Sequence, residues 1–153
     1  MTLARDKKSK SKGRKTGNAD KKHWVSQNSA FKIIYYKYGE EGGSVSSFYK
    51  NYLPNANNYE NTSLPDSWPP KKTIWPIDIF IRQLLWQLPY RSTIVVPIAP
   101  LLADEHNKFF LRGFLCIDSP RNVAFYKQPD VDILRGVADG IYNKVDKLHQ
   151  LNK

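Results

Sequence analysis

Residues 92–102, Ser-Thr-Ile-Val-Val-Pro-Ile-Ala-Pro-Leu-Leu, and residues 109–117, Phe-Phe-Leu-Arg-Gly-Phe-Leu-Cys-Ile, decide the fold class. Both are short apolar runs rich in β-branched and aromatic residues, the composition of buried strands. The polar stretch 103–108 between them reads as a turn, which makes the two strands neighbours. Pro97 and Pro100 lack the N–H that a ladder uses, so the first strand is expected at a sheet edge or a bulge. Residues 118–122, Asp-Ser-Pro-Arg-Asn, form a second tight turn, and residues 123–126 read as a short last strand.

A helix follows. Pro129 suits a first helical turn, and Asp130 and Asp132 complement its positive end. Ile133, Leu134, Val137, Ala138, Ile141, Val145 and Leu148 recur at helical spacing and make one apolar stripe. Gly136 and Gly140 each cost roughly 1 kcal/mol of helix propensity relative to Ala. Their four-residue spacing puts both on one face. The expected compensation is a close approach to the sheet or to a second helix, and these two glycines are the residues read as a dimer contact.

Upstream, residues 31–38, Phe-Lys-Ile-Ile-Tyr-Tyr-Lys-Tyr, read as a strand from their β-branched and aromatic composition. The glycine-rich stretch 39–43 is a turn, and residues 44–52 resume as a second strand or a short helix. The two elements together look like an antiparallel hairpin. Residues 53–73, rich in Asn, Pro and Ser, form a loop long enough to suggest a role in function. In residues 74–88 the spacing of Ile77, Phe80, Ile81, Leu84, Leu85 and Leu88 predicts a helix with one buried face, ended by Pro89. That run is too short and too often interrupted by Pro76, Asp78, Arg82 and Gln83 to cross a membrane.

The chain has 153 residues and a formal charge of +10. Residues 1–22 hold nine basic residues against two acidic, a net of +7, and residues 23–153 hold fifteen against twelve, a net of +3. The charge belongs to a tail, and the body is nearly neutral. The tail has almost no apolar residues and is expected to be disordered. It lacks the apolar core of a secretory signal and the amphipathic pattern of a transit peptide. Lys7, Lys8, Lys10, Lys12, Arg14 and Lys15 are the residues that would touch phosphates, giving weak, salt-sensitive and sequence-blind nucleic-acid binding. A plain solvated linker accounts for them as well. With Cys116 the single cysteine, an intrachain disulfide and a cysteine-based zinc site are excluded, and a cytoplasmic location is expected.

Taken together, residues 90–148 resemble the C-terminal half of a GAF domain. The resemblance rests on Tyr90-Arg91-Ser92-Thr93-Ile94-Val95-Val96-Pro97-Ile98 and on Leu111-Arg112-Gly113-Phe114-Leu115-Cys116-Ile117-Asp118-Ser119. Phe125, Asp130 and the helix through Leu134, Ala138 and Ile141 complete it. It implies an α+β fold: a GAF/PAS-like antiparallel sheet flanked by helices, with a long C-terminal helix. Residues 1–24 are then a basic tail and residues 25–150 a GAF-like domain. The helix that precedes the family's first hairpin has only His23-Trp24-Val25 and the tail to supply it, as in a divergent or N-terminally truncated member. The resemblance implies a sensory or regulatory module, without catalysis, that binds a small ligand or a partner protein. The cyclic-nucleotide signature of the family is not matched, because Asp118-Ser119-Pro120-Arg121 stands where Asn-Lys belongs. Bilin attachment is not matched either, because Cys116 lies mid-strand before Ile117.

The ligand-binding candidates are Trp75, Trp86, Tyr90, Ser92 and Asp118, of which Trp86, Tyr90 and Ser92 lie where the 74–88 helix hands over to the strand. Aromatic walls with a few polar groups suit small-molecule pockets, and they also suit an ordinary core. Cys116 reads as a small buried residue of the sheet rather than a reactive thiol. His23, His106 and His149 share no metal-ligand spacing, and no acid, base and nucleophile converge, so neither a metal nor a cofactor nor catalysis is expected. The nucleic-acid role of the tail is the alternative function, and the terminal helix supplies the expected homodimer.

Overall fold

The computed structural model describes residues 25–40, 47–56, 59–62, 64, 68, 77–100 and 111–151. The basic tail, Trp75 and the 101–110 turn with His106 lie outside these residues. Helix α1 is Ser29–Glu40, strand β1 Phe48–Lys50, helix α2 Ile77–Leu85, strand β2 Ser92–Ile98, strand β3 Gly113–Ser119 and helix α3 Lys127–Leu151. The strands form one antiparallel sheet in the order β1-β2-β3. Phe48 pairs with Val95 and Lys50 with Thr93, while Ser92 pairs with Ser119 and Ile98 with Gly113. The class is therefore α+β, with an antiparallel sheet and a long C-terminal helix.

The sheet is covered on both faces. Because side chains alternate along a strand, Ile94 and Val96 of β2 face one way and Val95 the other. The first pair packs with Val131, Leu134 and Ala138 of α3, flanked by Tyr49, Ile98, Leu115 and Phe125. Val95 packs with Ala30 and Ile34 of α1 and with Phe48, Leu53, Tyr59, Trp86 and Leu88. Arg112 ties β3 to α3 through its Nη2, 2.6 Å from Asp146 Oδ1. Asp130 Oδ2 accepts the Tyr126 N–H at 2.7 Å and secures the start of α3.

Four sequence expectations are corrected. Residues 31–38 are helical, not a strand, so there is no hairpin with β1. Asn28 caps α1 by accepting the Ala30 N–H on Oδ1 at 3.2 Å, and Ala30 and Ile34, four apart, are the residues it buries. Packing of that narrow stripe overrides the β-rich composition. Residues 123–126 are a turn, with Val123 at φ 52° and its N–H bonded to Asn51 O at 2.9 Å. β2 is the central strand despite Pro97. Among the described residues β1 ends opposite Val95, so Pro97 is paired on one side only and its missing N–H breaks no ladder there.

The fourth correction concerns α2. Its apolar stripe points outward: Ile77, Phe80 and Leu84 are 56, 68 and 72 % exposed, while Arg82 is 5 % exposed. Arg82 Nε meets Asp78 Oδ2 at 2.9 Å on the inner side. The helix packs mainly on the turn Leu53–Asn55, with Gln83 Nε2 donating to Tyr52 Oη, and not on the sheet that its apolar face was expected to cover.

Candidate functional site

The ligand-binding candidates suit either a pocket or an ordinary core between the 74–88 segment and the sheet. That space is filled by aromatic rings. Trp86, 9 % exposed, lies 5.9 Å from Tyr59 and 5.3 Å from Trp68 between ring centroids, and Tyr59 lies 6.0 Å from Phe48. Each indole has a hydrogen-bond partner. Trp86 Nε1 donates to Tyr90 O at 2.8 Å, and Trp68 Nε1 donates to Tyr59 O at 2.9 Å. The buried Trp86 and the half-buried Trp68, with rings packed and N–H groups satisfied, act as core.

A polar rim borders this plug. Asn61 Nδ2 donates to Tyr90 Oη at 3.1 Å and to Tyr59 Oη at 3.4 Å. Thr93 Oγ1 donates to Asp118 Oδ1 at 2.6 Å across β2 and β3. Burial pushes the Tyr90 phenol well above the ordinary tyrosine value, and the neighbouring Tyr59, Asp118 and Cys116 add to it. Burial raises Tyr59 as well, against the lowering effect of its bonds to Asn61 and Tyr90. Both phenols therefore stay protonated at neutral pH and serve as neutral hydrogen-bonding groups. Cys116 is exposed, contrary to expectation, on the edge strand β3.

Of the sequence candidates, Trp86, Tyr90 and Asp118 come together on this face. Ser92 lies on the opposite face, two residues from Ile94. Its buried hydroxyl sits 2.9 Å from Asn51 O and 2.6 Å from Arg121 O, joining the loops after β1 and β3. Trp75 and the tail residues Lys7, Lys8, Lys10, Lys12, Arg14 and Lys15 lie outside the described residues. The sequence reading missed Tyr59, Asn61 and Trp68. Their signal was aromatic residues inside an otherwise Asn- and Pro-rich loop. That loop is tied to α1 by Ser29, whose N–H donates to Glu60 O at 3.0 Å and whose Oγ accepts the Glu60 N–H at 2.8 Å.

The outer face of α3 differs from its inner one. A Cβ built on Gly136 or on Gly140 meets nothing within 4 Å, so neither glycine serves an approach to the sheet. Beside them Ile133, Val137, Leu148 and Leu151 are between 50 and 82 % exposed. Their spacings of four, eleven and three residues keep them on one side of the helix. Among the described residues no group of His, Cys, Asp and Glu could hold a metal ion, and no helix is long and apolar enough to cross a membrane. No family model, curated protein or solved structure matches the chain.

Proposed function

We propose that this chain is a non-catalytic regulatory module of the GAF type that acts by pairing with a second copy through the outer face of α3. The observation that carries the reading is that α3 bears two apolar stripes. Val131, Leu134 and Ala138 bury against the sheet, and Ile133, Val137, Leu148 and Leu151 are half or more exposed. A helix of 25 residues is about 37 Å long, enough for a sustained helix-to-helix contact. Gly136 and Gly140, where an added Cβ would meet nothing within 4 Å among the described residues outside the helix's own turns, would let the partner helix come close.

The aromatic plug supports partner binding over capture of a small ligand inside the sheet. Trp86, Tyr59 and Trp68 occupy the space such a ligand would need. In a module of this kind the signal passes through the relative placement of the two copies.

The reading is tested by light scattering of the full chain. Wild type is expected as a dimer at about 100 μM, a concentration at which even a micromolar Kd is saturated. Ile133→Glu with Val137→Glu is expected as a monomer with unchanged helical circular dichroism, since both side chains are already solvent-exposed. A wild type that stays monomeric at that concentration refutes the proposal.

A further inference from the structure

The face of α1 turned away from the sheet carries a pattern that neither the aromatic plug nor the pairing of α3 uses. Ala30 and Ile34 are buried, and Phe31 turns inward to stack on Phe114, 4.6 Å between ring centroids. Lys32, Ile33, Tyr35, Tyr36 and Lys37 are all exposed, with Tyr35 and Tyr36 at 40 and 50 %. On a helix Lys32 neighbours Tyr35 and Tyr36, three and four positions on, and Ile33 neighbours Tyr36 and Lys37. At 3.6 residues per turn the order across the outer face is Tyr35, Lys32, Tyr36, Ile33, Lys37. The two phenol rings are 5.8 Å apart between centroids and 84° to one another, an edge-to-face pair rather than a closed stack.

Exposed rings interleaved with cations are what a single-stranded nucleic acid binds. Lysines track its phosphates, and a flat ring stacks on any base. No ion pair joins Lys32 or Lys37 to an acid among the described residues, so both charges remain for a polyanion. The rest of the charge lies next to α1 in the sequence. Residues 1–22 carry a net +7 and no aromatic residue, so they can hold phosphates but cannot stack on bases. Lys22 stands seven residues before Ser29, at most about 25 Å of chain. The basic segment and the tyrosines of α1 are therefore able to engage one strand together. A bilayer is matched less well, because Ile33 is the one aliphatic residue in this row and gives little to bury among acyl chains. α1 packs on the Val95 side of the sheet and α3 on the Ile94 side, so pairing through α3 leaves this face open.

We infer that the outer face of α1 binds single-stranded nucleic acid, with bases stacked on Tyr35 and Tyr36, phosphates held by Lys32 and Lys37, and residues 1–22 adding charge along the strand. The inference goes beyond the pairing of α3 and does not depend on it. It separates two contributions. The lysines give salt-sensitive affinity for any polyanion, and the tyrosines give preference for unpaired bases, since the bases of a duplex are already stacked on one another.

The test titrates the full chain into fluorescein-labelled oligothymidine, into its duplex with oligodeoxyadenosine, and into phosphatidylcholine vesicles containing phosphatidylserine, at about 50 and about 200 mM salt. Tyr35→Ala with Tyr36→Ala should weaken binding to the single strand by about thirtyfold, the loss of two stacks at the weak end of their usual range, and leave the salt slope unchanged. Tyr36→Ala alone should give about fivefold. Tyr35→Phe with Tyr36→Phe keeps both rings and should bind as wild type does. Duplex binding should not respond to any of these changes. Both tyrosines are exposed, so the variants are expected to fold, and circular dichroism shows whether they do. Changing Lys7, Lys8, Lys10, Lys12, Arg14 and Lys15 to Gln should flatten the salt slope for strand and duplex alike. The inference is overturned if the single strand does not bind, if the double Ala variant binds it as wild type does, or if that variant loses strand and duplex equally. Binding of the vesicles and not of the strand, with the same dependence on Tyr35 and Tyr36, would also overturn it and assign the face to a membrane surface.

Discussion

Replacing Trp86 with Ala distinguishes a filled face from a pocket wall. In the structure the indole packs against Tyr59 and Trp68 and donates to the Tyr90 carbonyl at 2.8 Å. Truncating a buried Trp to Ala costs about 3–5 kcal/mol, the upper part applying where surrounding rings cannot collapse into the space. The lost hydrogen bond belongs to that cost and accounts for about 1 kcal/mol of it. Trp86→Phe keeps an aromatic ring but strands the carbonyl, so it should cost about 1–2 kcal/mol. Against a typical stability of about 5–15 kcal/mol the Ala variant is severely weakened, with Tm lowered by roughly 10 °C or more in a chain of this size. Urea unfolding followed by circular dichroism measures both variants, and the midpoint should fall while the slope stays constant. A Trp86→Ala cost below about 1 kcal/mol would mean that the ring borders open space and that the plug is not core.

Three further outcomes are expected. Ser92→Ala should cost about 1–3 kcal/mol in the same urea assay, because it removes the buried hydroxyl that reaches Arg121 O at 2.6 Å, and a neutral result would mean that water reaches that carbonyl. Raised pKa values make Tyr90 and Tyr59 sources of alkaline sensitivity: the unfolded chain gives up these protons first, so stability is whole below about pH 10 and falls above it. Tyr90→Phe should lose less of its urea midpoint than wild type between about pH 9 and 11, and equal losses would contradict the cause assigned. Val123, β-branched and at φ 52°, pays a steric cost that Asn largely avoids, so Val123→Asn should raise stability by about 0.5–1 kcal/mol.

The parts of the fold that were legible in the sequence are those whose packing is periodic and continuous. β2 is buried along almost its whole length, α3 buries Val131, Leu134 and Ala138 at helical spacing, β3 pairs with β2 though its own residues are half-buried or exposed, and Pro129 with Asp130 marks where α3 begins. α1 was misread because its buried stripe is narrow, chiefly Ala30 and Ile34, while Ile33, Tyr35 and Tyr36 are exposed and lend it a strand-like composition. The Asn28 cap was the available signal. α2 was misread in orientation: its apolar spacing is real, but the residue it buries is Arg82, paired with Asp78. The aromatic plug was half legible. Trp86 and Tyr90 stood out beside an apolar helix, whereas Tyr59 and Trp68 sit in an aperiodic loop, where Trp68 Nε1 donates to Tyr59 O and no pattern announces them. Gly136 and Gly140 were read as a close-approach face with the sheet or another helix as partner, and their open surroundings remove the sheet from that choice.

The pairing of α3 with its twin is tested most directly by a disulfide placed at its centre. In a Cys116→Ser background, Gly140→Cys should form a disulfide between two copies on mild oxidation, because it lies midway along the exposed stripe from Ile133 to Leu151. Asn122→Cys, on the exposed turn before the helix, serves as the control for random collision. The account predicts rapid covalent dimer from Gly140→Cys and little from Asn122→Cys. Equal rates at the two positions, or no covalent dimer from Gly140→Cys, would contradict it.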